Sequence, residues 1–446
     1  MFFLIPRCWD SHAHLMYTGM EKYALNLGSI SDPSNLKYLK VETHHFRGKW
    51  LVGFGWDQFF FKKQTMPTRQ ELDLAFPDFP VFFTRKDGHA AWVNTRAFEV
   101  VGDLPPTIEG GDVYREASGE PTGILLDRAM TLFEEKIPPY SLSSEKIFIE
   151  EGLKIFNRAG FTHLRDMGGT ESQWCILEEL DAQKKLNLYV EQNFFFNSMK
   201  EFDHAIQAAE RCRASSRAQD SHLRFAGLKF FLDGALGSEG AWLSQEYPGS
   251  GTKGLSLWSS EQLEEILRRA WKKGFALAVH ALGDAAIEQI AQVASKLYLM
   301  GIVGELNIEH AEVARLESIE KLAYLKARVH MQPCHFLGDR LFLKPKLDSL
   351  YSYAFPWRAL ENSGIKISWG SDAPIEKPSV KNNLLALKEA QLEGIQNIQS
   401  KPEAGHSHPD LSWGCDCYTR FDFEKSEDPI EVIFDGKPLC LDFSKT

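Results

Sequence analysis

Eight short apolar runs recur along this chain of 446 residues, and each run ends in a polar residue or in glycine. Helical patterns lie between several of these runs. The clearest one, residues 260–273, begins with a capping box of Ser259 and Gln262 and ends before Gly274. Because strand and helix patterns alternate eight times, the sequence predicts an α/β fold, a closed (β/α)₈ TIM barrel rather than a doubly wound sheet. The predicted barrel strands are 8–14, 161–167, 188–196, 225–233, 275–283, 306–311, 328–333 and 365–372.

The chain is longer than the roughly 250 residues of a bare barrel, and most of the surplus follows the first predicted strand. Residues 15–160 are rich in glycine, proline and aromatic residues. An insertion at that point emerges at the face where the carboxyl ends of the strands meet. We therefore expect a barrel domain of residues 1–380 in which 15–160 is an inserted lid or substrate subdomain. A subdomain that serves only packing is the alternative, since the phenylalanine content suits that as well.

A C-terminal tail of residues 381–446 follows the predicted barrel. Its segment 401–428 is polar and without a regular pattern, so we expect it to be irregular. Two apolar segments, 430–434 and 438–443, flank Asp435-Gly436, which is a strong hairpin signal. The tail therefore predicts a small β appendage with one hairpin.

Charge and composition exclude several classes of partner. The chain has 50 Lys and Arg against 61 Asp and Glu, and the resulting net charge of −11 argues against nucleic acid or an anionic membrane as the main partner. The apolar opening at residues 2–6 is too short for the core of a signal peptide, and no run approaches transmembrane length. The 7 cysteines are dispersed, which suits a reducing, cytoplasmic compartment. A small molecule is the expected partner.

Several side chains at the ends of the predicted strands could bind a metal. Residues at i and i+2 of a strand face the same side, so His12 and His14 can hold one ion between them. A second His-x-His, at His406 and His408, lies in the polar segment, and we expect it to be solvated loop. Imidazoles and carboxylates suit Zn²⁺ and related ions. The candidate ligands are His12, His14, Lys229, His280, His310 and Asp372.

Each candidate has a purely structural alternative. An ammonium cannot bind a cation, but a buried Lys229 readily becomes neutral and can capture CO₂ as a carbamate; it can also stay uncarboxylated beside a single metal. Asp372 could be an ordinary turn residue, although its position at the end of the eighth predicted strand favours a role as ligand and general base. The histidines for which we expect only a structural role are His163, His204, His222 and His330.

The ordered ligands and the motifs around them resemble the amidohydrolase superfamily, and within it the YtcJ-like, amidohydrolase-3 group. The chain departs from that pattern at both ends, where relatives build a β-sandwich. The resemblance therefore implies that the tail is the remnant of a sandwich. The motifs are DGHAAWVN at 87–94, GEPTG at 119–123, KFFLDGALGS at 229–238, VHALGD at 279–284, EHA at 309–311, MQP at 331–333 and WGSDAP at 369–374.

By resemblance, carboxylated Lys229 would bridge two zinc ions. The more buried ion would be bound by His12, His14 and Asp372, and the other by His280 and His310. Water activated between two metals loses a proton near neutral pH and becomes the nucleophile. Asp372 would accept that proton and pass it to the leaving group, as general base and then general acid.

These features predict a metal-dependent hydrolase that cleaves C–N bonds outside peptides, in amides, N-formyl compounds or cyclic amides. His89, Trp92 and Gln332 are the predicted substrate contacts. A deaminase of the same superfamily is one alternative, but Leu282-Gly283-Asp284 follows His280 where deaminases generally have a glutamate. A barrel with decayed chemistry that only binds small molecules is the other. A homodimer is compatible with this prediction.

Overall fold

The computed structural model describes residues 2–215 and 221–439. Strand β1 (Phe2–Pro6) pairs with the C-terminal part of the chain. Strand β2 (Trp9–Ala13) follows, and it is the first strand of an eight-stranded parallel sheet. The chain leaves that sheet immediately after β2 and returns to it only at residue 163.

The segment between these two barrel strands contains a second, mixed sheet of seven strands. Its strands are β3 (Leu25–Asn26), β4 (Phe46–Arg47), β5 (Trp50–Trp56), β6 (Val81–Arg85), β7 (Ala90–Val93), β8 (Gly111–Arg115) and β9 (Pro121–Asp127). The spatial order is β3-β5-β6-β7-β9-β8, with β4 beside β5. The helices of this part are α1 (Leu15–Met20), α2 (Arg69–Ala75), α3 (Thr95–Val101) and α4 (Arg128–Glu134).

The inserted sheet has a hydrophobic core on each face. Successive strand residues point to opposite faces, and Phe82 and Phe83 accordingly belong to different cores. Phe83 packs with Trp56 and Trp92, whereas Phe82 belongs to the cluster that contains Phe133. The insertion therefore has apolar packing of its own in addition to its contact with the barrel.

The remaining seven barrel strands follow in the order predicted from the sequence. They are β10 (His163–Gly169), β11 (Tyr189–Phe195), β12 (Leu223–Phe231), β13 (Ala276–Ala281), β14 (Leu306–His310), β15 (Arg328–Met331) and β16 (Lys366–Trp369). The helices are α5 (Leu142–Arg158), α6 (Glu171–Ala182), α7 (Met199–Ser215), α8 (Ser260–Lys272), α9 (Asp284–Leu299), α10 (Leu316–Tyr324), α11 (Pro333–Leu347), α12 (Trp357–Asn362) and α13 (Val380–Leu392). The prediction of an eight-stranded barrel with alternating helices is confirmed. So is the capping box of α8, in which Ser259 and Gln262 bond each other's backbone N–H.

Hydrogen bonds between the first and last barrel strands close the sheet. The backbone N–H of Asp372, just after β16, donates to the carbonyl of His12 at 2.7 Å. The buried carboxylate of Asp10 accepts from the backbone N–H of Ser371 at 3.0 Å and from its hydroxyl at 2.6 Å. These bonds bring residues from the two ends of the barrel sequence into direct contact.

A small antiparallel sheet is formed by both ends of the described chain. Its C-terminal strands are β17 (Tyr418–Asp422), β18 (Pro429–Phe434) and β19 (Lys437–Pro438), and the order is β1-β17-β18-β19. Phe421 is buried in the same core cluster as the barrel residues. The Thr419 hydroxyl donates to the Gly160 carbonyl at 2.6 Å, and a β-carbon on Gly160 would meet the Phe421 ring at 2.8 Å. This sheet therefore packs closely against the turn before β10.

Two expectations for the tail are wrong. The segment 401–428 contains strand β17 and is not wholly irregular. His406 and His408 are buried, not solvated: the His406 ring bonds the Trp9 carbonyl at 3.2 Å, and His408 faces Glu191 at 3.2 Å. The tail folds against strands β2 and β11, and that tertiary contact leaves no periodic signal in the sequence. The predicted hairpin turn joins β18 to β19, while residues 440–443 of its second strand lie outside the described residues.

Across residues 2–215 and 221–439, no helix combines the length and the apolar character needed to cross a bilayer.

We expect Phe421→Ala to lower the free energy of unfolding by about 3–5 kcal/mol, because it leaves a cavity between the small sheet and the barrel. Phe2→Ala, on the same sheet but 68% exposed, is the matched control and should change it by less than about 0.5 kcal/mol. Urea denaturation followed by circular dichroism measures both. Equal effects of the two substitutions would mean that the small sheet does not stabilise the barrel.

Candidate metal centre

The candidate ligands meet at the carboxyl end of the barrel strands. His12 lies in β2 and His14 directly follows it, His280 lies in β13, His310 ends β14, and Asp372 comes just after β16. Lys229 lies near the end of β12, in the wall of the same barrel. Parallel strands of a barrel end at one face, so residues far apart in sequence converge there.

Two of these ligands have unusual backbone conformations. His310 has φ of 73° and Asp372 has φ of 57°, the left-handed region that non-glycine residues rarely adopt. Such residues persist only where the surrounding structure holds them, and they cluster at functional sites. The two strands therefore bend sharply where their side chains join the centre.

The carboxylate of Asp372 lies between the imidazoles. Its Oδ1 is 3.3 Å from His12 Nε2 and 3.2 Å from His14 Nε2. The potential ligand atoms of His12, His310 and Asp372 all lie within 4.8 Å of one another. Burial alone would raise the pKa of Asp372, but the facing histidines hold it well below its usual range. Asp372 is thus an ionised carboxylate among three imidazoles.

Two of the buried polar atoms at this centre make no well-aligned hydrogen bond within the described residues. They are Nε2 of His12 and Nζ of Lys229, and both residues are 0% exposed. Buried polar groups are nearly always hydrogen-bonded or bound to an ion. Burial lowers the pKa of the Lys229 amine to about 8, although Glu309 and Asp372 oppose the shift. The donor set and its unpaired atoms fit a divalent metal.

The two remaining barrel histidines are held as neutral rings. Burial lowers the pKa of both His280 and His310 well below the usual range, and their ring centroids are 4.5 Å apart. A neutral imidazole is the form that binds a metal. His310 Nδ1 donates to Oε1 of Gln332 at 2.7 Å, so that its Nε2 is the nitrogen left for an ion.

A buried ion pair, which the sequence did not reveal, orients His12. His12 Nδ1 lies 2.6 Å from Glu309 Oε2, and the other oxygen of Glu309 accepts from Arg165 at 2.8 Å. Burial would raise the pKa of Glu309, but Arg165 holds it well below its usual range. A carboxylate at Nδ1 fixes the tautomer and ring orientation of a ligating histidine.

A second carboxylate and histidine pair comes from the insertion. His89 Nδ1 bonds Asp127 Oδ1 at 2.7 Å, and the His89 ring lies 4.7 Å from the ring of His280. Burial would lower the pKa of His89, but Asp127 outweighs it and raises that pKa. His89 lines the cavity described below, in keeping with its prediction as a substrate contact.

The other two predicted substrate contacts lie elsewhere. Trp92 is fully buried in a core of the insertion, where its indole N–H donates to the Thr68 carbonyl at 2.8 Å. Gln332 is 2% exposed and accepts from His310. Neither lines the cavity, so we revise both predictions: Trp92 packs within the insertion, and Gln332 accepts a hydrogen bond from the candidate ligand His310. From the sequence alone, the Trp92 indole was as compatible with packing inside the insertion as with substrate binding.

A third pair of carboxylate and histidine faces the other oxygen of the Asp372 carboxylate. His335 Nδ1 bonds Glu312 Oε1 at 2.9 Å, and His335 Nε2 is 3.6 Å from Asp372 Oδ2. Burial would lower the pKa of His335, but Glu312 and Asp372 raise it to about 9. His335 belongs to the first turn of α11. Candidate ligands were predicted only at the ends of barrel strands, so the sequence did not indicate it.

Comparisons with known proteins identify the family of this chain. A model of the amidohydrolase family matches residues 3–380. The chain belongs to the amidohydrolase family. The putative amidohydrolase YtcJ of Bacillus subtilis is 29% identical over 415 residues, which cover 91% of this chain and 76% of that protein. An N-substituted formamide deformylase of Arthrobacter pascens is 24% identical over 392 residues, covering 83% and 70% of the two chains.

A solved structure of an uncharacterized metal-dependent hydrolase from Pyrococcus horikoshii is 25% identical to this amidohydrolase and has a TM-score of 0.65. The match covers 89% of this chain and 76% of that one. The protein is accordingly a hydrolase that uses a divalent metal.

A cavity of about 520 Å³ leads to the metal centre of the amidohydrolase. His12, His14, His280, His310 and Asp372 are among the residues that line it. The walls come from both the barrel and the insertion, and their apolar residues include Val52, Phe54, Phe82, Met130, Met167, Phe195 and Phe231. Pockets of this size bind drug-sized molecules.

We expect Gln332→Met, which is close in size but cannot accept the His310 N–H, to weaken metal affinity about 10–100-fold. Competition with a chromogenic chelator measures the affinity. Gln292→Met, at an exposed position on α9, is the control and should leave it unchanged. An unaltered affinity in Gln332→Met would mean that His310 does not need this partner.

Proposed function

We propose that this amidohydrolase cleaves non-peptide C–N bonds in amides, N-formyl compounds or cyclic amides. The observation that carries the proposal is the convergence of His12, His14, His280, His310 and Asp372 on one cavity. The similarity to an N-substituted formamide deformylase supports the choice of bond. The reaction class follows from the ligand set, because imidazole and carboxylate ligands hold the divalent ions that promote hydrolysis.

We propose two zinc ions as the cofactor, with Lys229 carboxylated as the bridge between them. His12, His14 and Asp372 would bind one ion, and His280 and His310 the other. Lys229 suits this role because its amine is fully buried and makes no hydrogen bond within the described residues. Burial also lowers the pKa of the amine to about 8, so part of it is neutral and able to capture CO₂. The number of ligands exceeds what one tetrahedral ion needs.

The chain's own residues would then carry out proton transfer and positioning. A divalent metal in such a site acidifies water and polarises a carbonyl. Asp372, ionised and facing the cavity, accepts a proton from the attacking water and delivers it to the leaving nitrogen as the C–N bond breaks. Glu309 and Gln332 hold the ligating rings of His12 and His310 in orientation.

The cavity supports a substrate with a sizeable apolar group beside the scissile amide. Its apolar walls favour burial of such a group, at roughly 25 cal/mol per Å² of apolar surface. His89, held by Asp127, faces the cavity close to His280 and is suited to donate a hydrogen bond to the substrate. Small amides without an apolar substituent would forgo most of this binding energy.

A panel of N-formyl and N-acyl amines with methyl, butyl and arylalkyl substituents tests the proposed function. We expect zinc-loaded protein to hydrolyse the arylalkyl members with the highest kcat/KM. Asp372→Asn, matched in size, should lower kcat by about 10²–10⁴, which attributes the activity to this site. Release of ammonia from amino-substituted heterocycles, with no amide hydrolysed, would instead identify a deaminase.

We expect about two zinc ions per chain after incubation with zinc and bicarbonate, and about one in Lys229→Met, because the bridging ligand is lost. Elemental analysis measures the content. Lys229→Ala should be nearly inactive and partly restored by short carboxylic acids. Lys346→Met is the control, because the Lys346 side chain is largely buried but pairs with Glu239, away from the candidate ligands. Two ions and normal turnover in Lys229→Met would refute the bridge.

A further inference from the structure

A second cavity, of about 70 Å³, adjoins the cavity of about 520 Å³ at the candidate metal centre. We call the smaller one the side cavity and the larger one the main cavity. His89, His280, His310 and Asp372 line both of them, so the two spaces meet where the candidate ligands converge. An amide held at this centre has two arms, the acyl group and the substituent on nitrogen. Two spaces of very different size are therefore available to the two arms.

The volumes of the cavities decide which arm fits where. A water molecule takes up about 30 Å³ in the liquid, and a cavity of about 150 Å³ admits benzene. The side cavity, at about 70 Å³, thus has room for about two non-hydrogen atoms and excludes a phenyl ring. The main cavity, at about 520 Å³, is large enough for an arylalkyl group.

Ion pairs hold one part of the side-cavity wall in place. Arg85 is 3% exposed and pairs with Asp57 at 2.8 Å and with Asp87. Lys86 pairs with Glu376, which joins the insertion to the segment after β16. All five residues line the side cavity. Widening the cavity would separate charges that are largely buried, which is costly because each would lose its partner. This part of the wall therefore resists expansion.

Helix α11 supplies another part of the same wall. Phe342 is 6% exposed and stacks on Phe59, with ring centroids 4.5 Å apart and planes 20° apart. Gly338, one turn earlier in α11, also lines the side cavity. A β-carbon on Gly338 would lie 3.6 Å from Oε1 of Glu376, which is an ordinary contact. The helix thus has one position at which the side cavity can be enlarged and one at which it can be filled.

We propose that the side cavity is the acyl subsite and limits the acyl group to short ones such as formyl and acetyl. This inference rests on the proposed function, in which the scissile amide carries its apolar group on nitrogen. That group needs the main cavity, which leaves the side cavity for the acyl arm. A formyl group has no carbon beyond the carbonyl and an acetyl group has one, so both fit. A pentanoyl group has four and does not.

The first test is a series of amides of 2-phenylethylamine with formyl, acetyl and pentanoyl groups. Acetyl and pentanoyl amides are alike in chemical reactivity, so their ratio reports the fit of the acyl group. We expect kcat/KM of the zinc-loaded wild type to fall at least about 100-fold from acetyl to pentanoyl. A fall of less than about threefold, which a methylene in an unrestricted site would give, overturns the proposal.

The direction of binding is tested with two isomers. N-(2-phenylethyl)acetamide has the small arm on the carbonyl, and N-methyl-3-phenylpropanamide has it on nitrogen. The two molecules have the same composition, and we expect the first to have the higher kcat/KM by at least about tenfold. A preference for the second isomer would place the amine in the side cavity and overturn the assignment of the acyl group to it.

Two variants in α11 change the space in opposite directions. Phe342→Ala enlarges the side cavity and should reduce the acetyl-over-pentanoyl preference at least about tenfold. Phe336→Ala, at a fully buried residue of the same helix that lines neither cavity, is the control for lost packing and should keep the preference. Gly338→Leu fills the side cavity without removing packing and should lower kcat/KM for acetyl relative to formyl at least about tenfold. If Phe342→Ala does not fold, Gly338→Leu alone decides, and an unchanged ratio of acetyl to formyl refutes the subsite.

A binding measurement separates this inference from the proposed function. Zinc-loaded protein saturated with 2-phenylethylamine, the product that would occupy the main cavity, is titrated calorimetrically with acetate and with pentanoate. We expect acetate to bind at least about tenfold more tightly in the wild type, and the difference to shrink in Phe342→Ala. If no amide is hydrolysed but this difference is found, the proposed function fails and the size limit of the side cavity stands. If amides are hydrolysed and the two carboxylates bind equally, the function stands and the acyl subsite is refuted.

Discussion

The contact between the first and last barrel strands is the one on which the candidate metal centre depends. Asp10 and Ser371 are 361 residues apart in sequence, and their hydrogen bonds set the register between β2 and the segment after β16. That register brings Asp372 to within 3.3 Å of His12. A shift of one residue would turn every side chain of the strand to the opposite face. The geometry of the site is therefore a property of barrel closure as much as of its ligands.

Several buried charges beneath the centre are paired with one another. Arg165 bonds Glu309, and Glu309 bonds His12. Isolated buried charges are costly, and pairing with good hydrogen bonds recovers much of that cost. The same device recurs in Asp127 with His89 and in Glu312 with His335. Three carboxylates thus bond three imidazoles at Nδ1.

Much of the fold could be predicted from the sequence, because strand and helix patterns are local. The eight barrel strands and the capping box at Ser259 depend on neighbouring residues only. The six candidate ligands could be predicted by their position at strand ends. Arg165 and Glu309 were missed although each is a charged residue within a buried strand, which is itself a signal of pairing. His335 lies in a helix, and only the folded chain brings it to Asp372.

Long-range packing accounts for the errors. His406 and His408 occur in a polar segment, yet they are buried by contact with Trp9 and Glu191, and no local pattern encodes those contacts. Trp92 carries a family motif but lies in the core of the insertion, with its N–H bonded to a backbone carbonyl. A motif can serve packing as readily as chemistry. The role of each residue in it therefore has to be decided from that residue's own contacts.

The insertion has two cores of its own, and both members of the His89 and Asp127 pair lie within it. The five imidazole and carboxylate side chains that converge at the barrel mouth all lie outside it. Selection for a new substrate can therefore remodel most of the cavity wall through one contiguous stretch of sequence, while the reaction centre stays untouched. The candidate ligands and most residues of the cavity wall thus lie in different segments of the chain, which meet where the His89 ring packs against the His280 ring.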